Sequence, residues 1–274
     1  MMKKRTAVIL IVVAIVATYA VIMWAYYGDP SWSSSSDTAS STEIPADCNV
    51  LAFNLNGEIA TYLPQDSISE TDSVSSADIL DGLKLAKENP QIKAVLLSVD
   101  SGGGSVVAGE EIANGFKALG KPSAAVIRDL GASAAYWAAT GAGRIFASKV
   151  SDVGSIGITA SYLDNTVANA KDGLTPVAIV SAPYKNEGDP DFPLTAAGKA
   201  DILASIKKDH EVFVDEVAAN RKLDRSKVAA LADGRTYVGT DAVDNGLIDG
   251  IGSIPEATDY LTQQIGESAQ VCWY

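Results

Sequence analysis

The sequence predicts an α/β domain built on a mostly parallel sheet, preceded by one membrane-spanning helix. Three observations point there. From residue 49 onward, strand-like apolar stretches alternate with stretches of helical spacing. Residues 6–27 carry no charged side chain. Between these regions, residues 28–47 are mostly Ser, Thr, Asp and Pro, with almost nothing to bury.

The N-terminal run comes first. As a helix, residues 6–27 would be about 33 Å long, against a hydrocarbon core of about 30 Å. Lys3, Lys4 and Arg5 precede it, so residues 1–5 should stay in the cytoplasm and the remainder should lie outside. Trp24, Tyr26 and Tyr27 suit the outer interface. A cleaved signal peptide is the alternative, but its apolar region runs about 7–15 residues before a small-residue site. This run is longer and ends in aromatics. It therefore reads as an uncleaved, single-pass anchor in the cytoplasmic membrane. A flexible Ser-rich tether follows over 28–47, then an extracytoplasmic domain over 48–274.

Within that domain, residues 49–59 alternate as a strand does. Residues 76–90 have a Ser/Asp start, apolar spacing of three and four, and a Pro stop, and predict a helix. "KAVLLSVDS" (93–101) is a continuous apolar strand of the type buried on both faces. Residues 106–119 form an amphipathic helix, 122–129 a strand, 133–140 a short helix and 144–148 a strand. Residues 195–221 predict one long helix. No short fixed period recurs, which excludes solenoids.

Composition removes several function classes. Lys plus Arg is 21 and Asp plus Glu 34, a net charge of −13. Nucleic-acid binding needs the opposite balance. The single histidine, His210, excludes a multi-histidine metal site, and two cysteines do not complete a structural zinc site. No metal or cofactor is expected. His210 stands among Lys207, Lys208, Asp209 and Glu211, which reads as a solvated helix face. Cys48 and Cys272 lie at the two ends of the domain, in a compartment that permits disulfides. They are a candidate bridge, with two separate buried thiols as the alternative.

In open α/β sheets, function collects at the carboxyl ends of strands. Three such ends hold unusual residues. "DSGGGSV" (100–106) offers exposed amides that could hold a developing oxyanion, or it is a tight turn. It lacks the lysine and spacing of a P-loop. "LGAS" (130–133) puts Ser133 at a helix start. That position suits an ordinary cap, and equally a nucleophile beside free amides. "DVGSIGI" (152–158) sets two glycines around Ser155 and reads locally as a bend.

Taken together and in order, these segments resemble the signal peptide peptidase A family of membrane-bound serine proteases. "VDSGGGSV" resembles that family's strand and Asn-Ser-Pro-Gly-Gly turn, "GASAAYWAA" its nucleophile segment, and "DVGSIGI" its Gly-Ser-Ile-Gly segment. "ADGRTYVGTDAVDNGLIDGIG" (232–252) resembles its closing region. The resemblance covers residues 49–252 and implies a Clp protease/crotonase-like spiral of ββα units. It also implies a Ser-Lys dyad. Ser133 would be the nucleophile. Lys185 would be the base, reached after a helix and a strand over 159–180. Ser155 would orient the lysine, and the backbone amides of Gly104 and Ala134 would form the oxyanion hole.

A lysine can replace histidine when burial keeps its amine neutral. Two departures stand out: Gly102 replaces the proline of the glycine loop, and Ser-Ala-Ala-Tyr-Trp replaces Ser-Gly-Gly-Tyr-Tyr. The implied activity is endopeptidase cleavage of remnant signal peptides or unfolded membrane-associated chains. The implied assembly is a homo-oligomeric ring or dome, with eight copies as a working number. The rivals are a non-catalytic peptide-binding scaffold and a crotonase-type acyl-CoA enzyme. The membrane anchor and the lack of an evident cofactor need disfavour the second.

Overall fold

The computed structural model describes residues 17–19, 45, 47–63 and 73–274. The chain divides into two units, residues 1–43 and 44–274. The predicted anchor over 6–27 lies outside the described residues except for 17–19, which are helical. Most of the 28–47 tether lies outside them too. Among the described residues, no helix is long and apolar enough to cross a membrane.

In residues 44–274, nine strands form one sheet. In chain order, β1 (Val50–Ala60), β2 (Ser73–Ser75), β3 (Ala94–Gly104), β4 (Ser123–Ala132), β5 (Ile145–Ala147) and β6 (Asp152–Gly154) come first. β7 (Thr236–Val238), β8 (Gly250–Ile251) and β9 (Val271–Trp273) follow. The helices are α1 (Ser76–Glu88), α2 (Val106–Leu119), α3 (Ala134–Thr140), α4 (Thr166–Lys171), α5 (Ala196–Arg221), α6 (Arg225–Leu231), α7 (Gly239–Asn245) and α8 (Ile254–Ile265). All pairings are parallel except β6 with β7.

Strand parity divides the core in two. Leu51, Phe53 and Leu55 of β1, Val95 and Leu97 of β3, and Ala125 and Ile127 of β4 face α1, α2, α3 and α5. Val50, Ala52, Leu96 and Val126 point the other way, onto Ala257 and Leu261 of α8. Burial on both faces is why these segments read as continuous apolar runs.

Three central strands bend before they end. The β1–β3 register shifts between Asn56 and Glu58, and the β3–β4 register between Val99 and Ser101. Below these bulges the neighbours change. β1 pairs with β9 above and β2 below; β4 pairs with β5 above and β6 below. The sheet thus has an upper layer, which carries the core, and a lower layer, which carries the strand ends. Buried serines stitch the bend: Ser101 Oγ donates to Gly57 O at 2.6 Å, and Ser151 Oγ bonds Arg128 O. Bulges commonly re-aim side chains next to active sites in this way.

The glycine segment is one correction to the sequence reading. Gly102–Gly104 is no turn but the end of β3, paired with Glu58 and Ile59 of β1. The backbone of Ile59 fills the space that a side chain at Gly104 would need. The strand implied over 174–180 is another. Those residues pair with no other strand, and Val177 and Ile179 are exposed. A strand needs an edge to pair with, and the described chain offers none there. Cys48 and Cys272 are joined in a disulfide with Cα atoms 5.8 Å apart, tying the start of β1 to β9.

Candidate active site

Ser133 sits where β4 gives way to α3. Its backbone is at φ 54°, ψ −127°, a conformation that side-chain-bearing residues rarely adopt. It is held there by neighbours: Ser133 N–H donates to Gly154 O at 2.8 Å, and Trp137 N–H donates to Ser133 O at 3.0 Å. The hydroxyl makes no cap bond. The contrast with other helix starts is clear. Ser75, Ser105 and Thr195 each accept a first-turn amide of α1, α2 and α5. Ser133 keeps the capping position while leaving Oγ uncommitted, which is the geometry of a nucleophile elbow.

α3 is buried along its whole length, whereas Ser133 is partly exposed. The Trp137 ring stacks on Phe213 of α5, centroids 4.5 Å apart. Tyr136 Oη donates to Leu247 O at 2.8 Å, and burial pushes its phenol far above the usual range. On the side of α2, Gly109 lets the helices meet closely: a Cβ there would lie 2.6 Å from Ala134 O. Packing on two sides therefore fixes α3, and with it Ser133.

The glycine segment reaches Ser133 through Gly103. At φ +105°, a Cβ on this residue would stand 2.9 Å from Ser133 Cβ and 3.0 Å from Ala134 N. Only glycine leaves room for a substrate carbonyl beside that amide. Gly103 N–H is already used, donating to Ser101 Oγ at 3.0 Å. Ala134 N–H, at the first position of α3, has no acceptor within its own helix. Gly104 lies one residue further along, against Ile59.

Ser155 also has a positive φ, 51°. Its N–H donates to Arg235 O at 2.9 Å and its Oγ to Gly234 O at 3.0 Å. Of the three described non-glycine residues with positive φ, two are Ser133 and Ser155, and the third, Lys222, caps α5. Strain of this kind collects at functional sites. The register pairs Ala132 with Gly154, so the two serines follow neighbouring strand ends.

Lys185 is placed differently. It lies in an exposed turn over 181–188, its N–H donating to Ala182 O at 3.1 Å. Among the described residues, no hydrogen bond or ion pair reaches its Nζ. The structure therefore brings Ser133, Ala134, Gly103 and Ser155 together and leaves Lys185 on a separate arm. His210 takes no part: its Nε2 pairs with Ala232 O at 3.0 Å, so it is not the solvated side chain its neighbours suggested.

Residues 115–267 match the profile of peptidase family S49. The chain belongs to that family. It carries a serine-peptidase domain, and Ser133 falls inside the matched region. Two relatives bear this out. A protein of Enterococcus faecium named "Putative signal peptide peptidase SppA" is 31% identical over 218 residues, 78% of this chain and 63% of its own length. Protease 4 of Haemophilus influenzae is 30% identical over 223 residues, 78% of this chain but 36% of its own length. A solved mutant of the 1510-N membrane-bound stomatin-specific protease shares the fold. It has a TM-score of 0.56 at 13% identity, covering 84% of this chain and 98% of that one. Gly103 and Gly109 were not singled out from sequence. Their signal is the middle one of three glycines, Gly102–Gly104, before the helix and a lone glycine one helical turn inside it.

Proposed function

We propose that the chain is a membrane-anchored serine endopeptidase of the Clp protease/crotonase fold type, working outside the cytoplasm through a Ser-Lys dyad. The observation that carries this reading is Ser133: a strained backbone, an uncommitted hydroxyl and a helix amide beside a glycine that clears space for a carbonyl. Lys185 in its neutral form takes the proton from Ser133 Oγ as the oxygen attacks the scissile carbonyl. The oxyanion that forms is held by the amide of Ala134, in the space that Gly103 leaves clear. Collapse expels the new amine, which receives that proton from Lys185. Water then cleaves the acyl-enzyme by the same steps in reverse order. Ser155 orients the lysine once the arm closes.

Closure needs burial of the arm. Leu174, Val177, Ile179 and Tyr184, all exposed, flank Lys185 in sequence. Self-association into a ring or dome would cover them and exclude water from the arm. The substrates that fit are remnant signal peptides or other unfolded membrane-associated chains, held close by an anchor at residues 6–27.

The test uses the full chain in detergent with casein or an apolar fluorogenic peptide. Ser133→Ala and Lys185→Ala should each abolish turnover. Activity unaffected by either change would falsify the dyad. An assembled protein inactive on every substrate would instead favour the scaffold reading, for which the separation of Lys185 from the serine speaks.

A further inference from the structure

The turn that bears Lys185 is poorly supported by packing. A cavity of about 630 Å³ lies between the arm and α5, lined by Ala160, Tyr162, Gly188, Leu194, Ile202 and Ile206. Its backbone bonds are local: Lys185 N–H to Ala182 O, Glu187 N–H to Tyr184 O and Asp189 N–H to Asn186 O. Those bonds give the turn its shape but not its place. With space behind it, nothing apolar fixes where it sits.

One side chain does fix it. The Glu187 carboxylate lies on the first turn of α5 and fills the space a Cβ would need at Gly198. Thr195 Oγ1 donates to Glu187 Oε1 at 3.4 Å and itself accepts Gly198 N–H at 2.9 Å. A carboxylate here also meets the positive end of a 26-residue helix. Among the described residues, no other side chain of 181–188 makes a hydrogen bond. The tip of the arm is thus pinned two residues from Lys185 onto the rigid helix that packs, through Phe213, against the nucleophile's own helix.

We propose that Glu187, seated on Gly198, is a positioning residue: it is the fixed point about which the arm closes, and so it sets the reach of Lys185 toward Ser133. This rests on the assignment of Lys185 as the base. Gly198 is the complement of that carboxylate. Alanine is the better helix former, so glycine in the first turn of α5 answers to the approach of Glu187 and not to the helix.

The experiment compares Glu187→Ala, Gly198→Ala and the double variant in the full chain, with peptide turnover and denaturation measured on each. Displacing a catalytic group by about 1 Å costs up to about 100-fold. Each single variant should lower kcat by about 10- to 100-fold, with KM within about twofold and an unchanged denaturation midpoint. The double variant should be no slower than the slower single, because both changes undo one contact. Wild-type kcat in Glu187→Ala overturns the proposal. So does a multiplicative loss in the double variant, and so does a fall in the midpoint that accounts for the lost activity. Lys185→Ala separates the two readings. If it stays active, the base assignment fails and this proposal fails with it. If it is dead while Glu187→Ala is not, only the positioning role fails.

Discussion

Replacing Asp249 with alanine removes the partner of a guanidinium held inside the domain. Arg221, at the end of α5, exposes 7% of its side chain and Asp249 exposes 32%. Arg221 Nη1 and Nη2 donate to the two carboxylate oxygens at 2.9 and 2.8 Å. Ile145 N–H donates to Asp249 Oδ2 at 2.7 Å. The pair therefore fastens α5 to the β5–β8 edge. Breaking a fully buried pair costs about 3–5 kcal/mol. The exposed third of this carboxylate screens the charges, so about 2–3 kcal/mol is expected. That is a fall in melting temperature of roughly 4–12 °C for a domain of this size.

Urea unfolding at pH 7 measures the loss. The double variant Arg221→Met/Asp249→Leu should recover most of it, because it strands no charge. The pH dependence has a definite sign. Burial raises the Asp249 carboxyl, but the hydrogen bond and charge of Arg221, the Ile145 amide and Arg144 together outweigh it. The carboxyl lies below its usual range. The stabilisation is thus full above the unfolded value of about 3.9 and disappears as pH falls through the lower folded value. The gap between wild type and Asp249→Ala should be constant near neutrality and close below about pH 4. A single variant as stable as wild type at pH 7, or a double variant no better than the single, would refute this account.

Four further outcomes are expected. Gly103→Ala puts a methyl 2.9 Å from Ser133 Cβ and 3.0 Å from Ala134 N. It should lower kcat at least about 100-fold, while circular dichroism stays that of wild type. Gly109→Ala forces α2 and α3 apart at a 2.6 Å contact with Ala134 O. It should cost about 1–3 kcal/mol in urea unfolding and lower activity as well. Reducing the Cys48–Cys272 bridge opens a loop with a sequence separation of 224. It should lower unfolding stability by about 3–5 kcal/mol, checked with and without reductant. Because an amine base must lose its proton before it works, turnover should climb from about pH 6 into the alkaline range; a profile falling over that span contradicts a lysine base.

Much of this architecture can be read from residues alone. Ser76 and Thr195 mark helix starts that the structure places within a residue, and the uniform apolar runs of β3 and β4 reflect burial on both faces. The order of the three strand-end motifs led to Ser133. Other features depend on distant backbone. The bulges near Gly57 and Asp100 have no periodic signature. They carry strand parity past the point where sequence can count it, so Gly103 and not Gly104 faces Ser133. β2, β6, β7 and β9 are three residues each, too short for a pattern. The family resemblance implies a strand over 174–180, but pairing needs an edge the described chain does not supply. The seat of Glu187 on Gly198 requires knowing that the turn folds back on α5, which spacing does not tell.

The two-layered sheet has a kinetic consequence. Ser133 is tied into strands whose other ends form the core, so its surroundings open only when the domain opens. Ser133 N–H, bonded to Gly154 O within that ladder, should exchange with deuterium among the slowest amides of the molecule. Lys185 N–H, in its exposed turn, should exchange among the fastest. The strand end and the arm would then show two clocks, and any ligand or neighbour that slows the second would be acting on the arm.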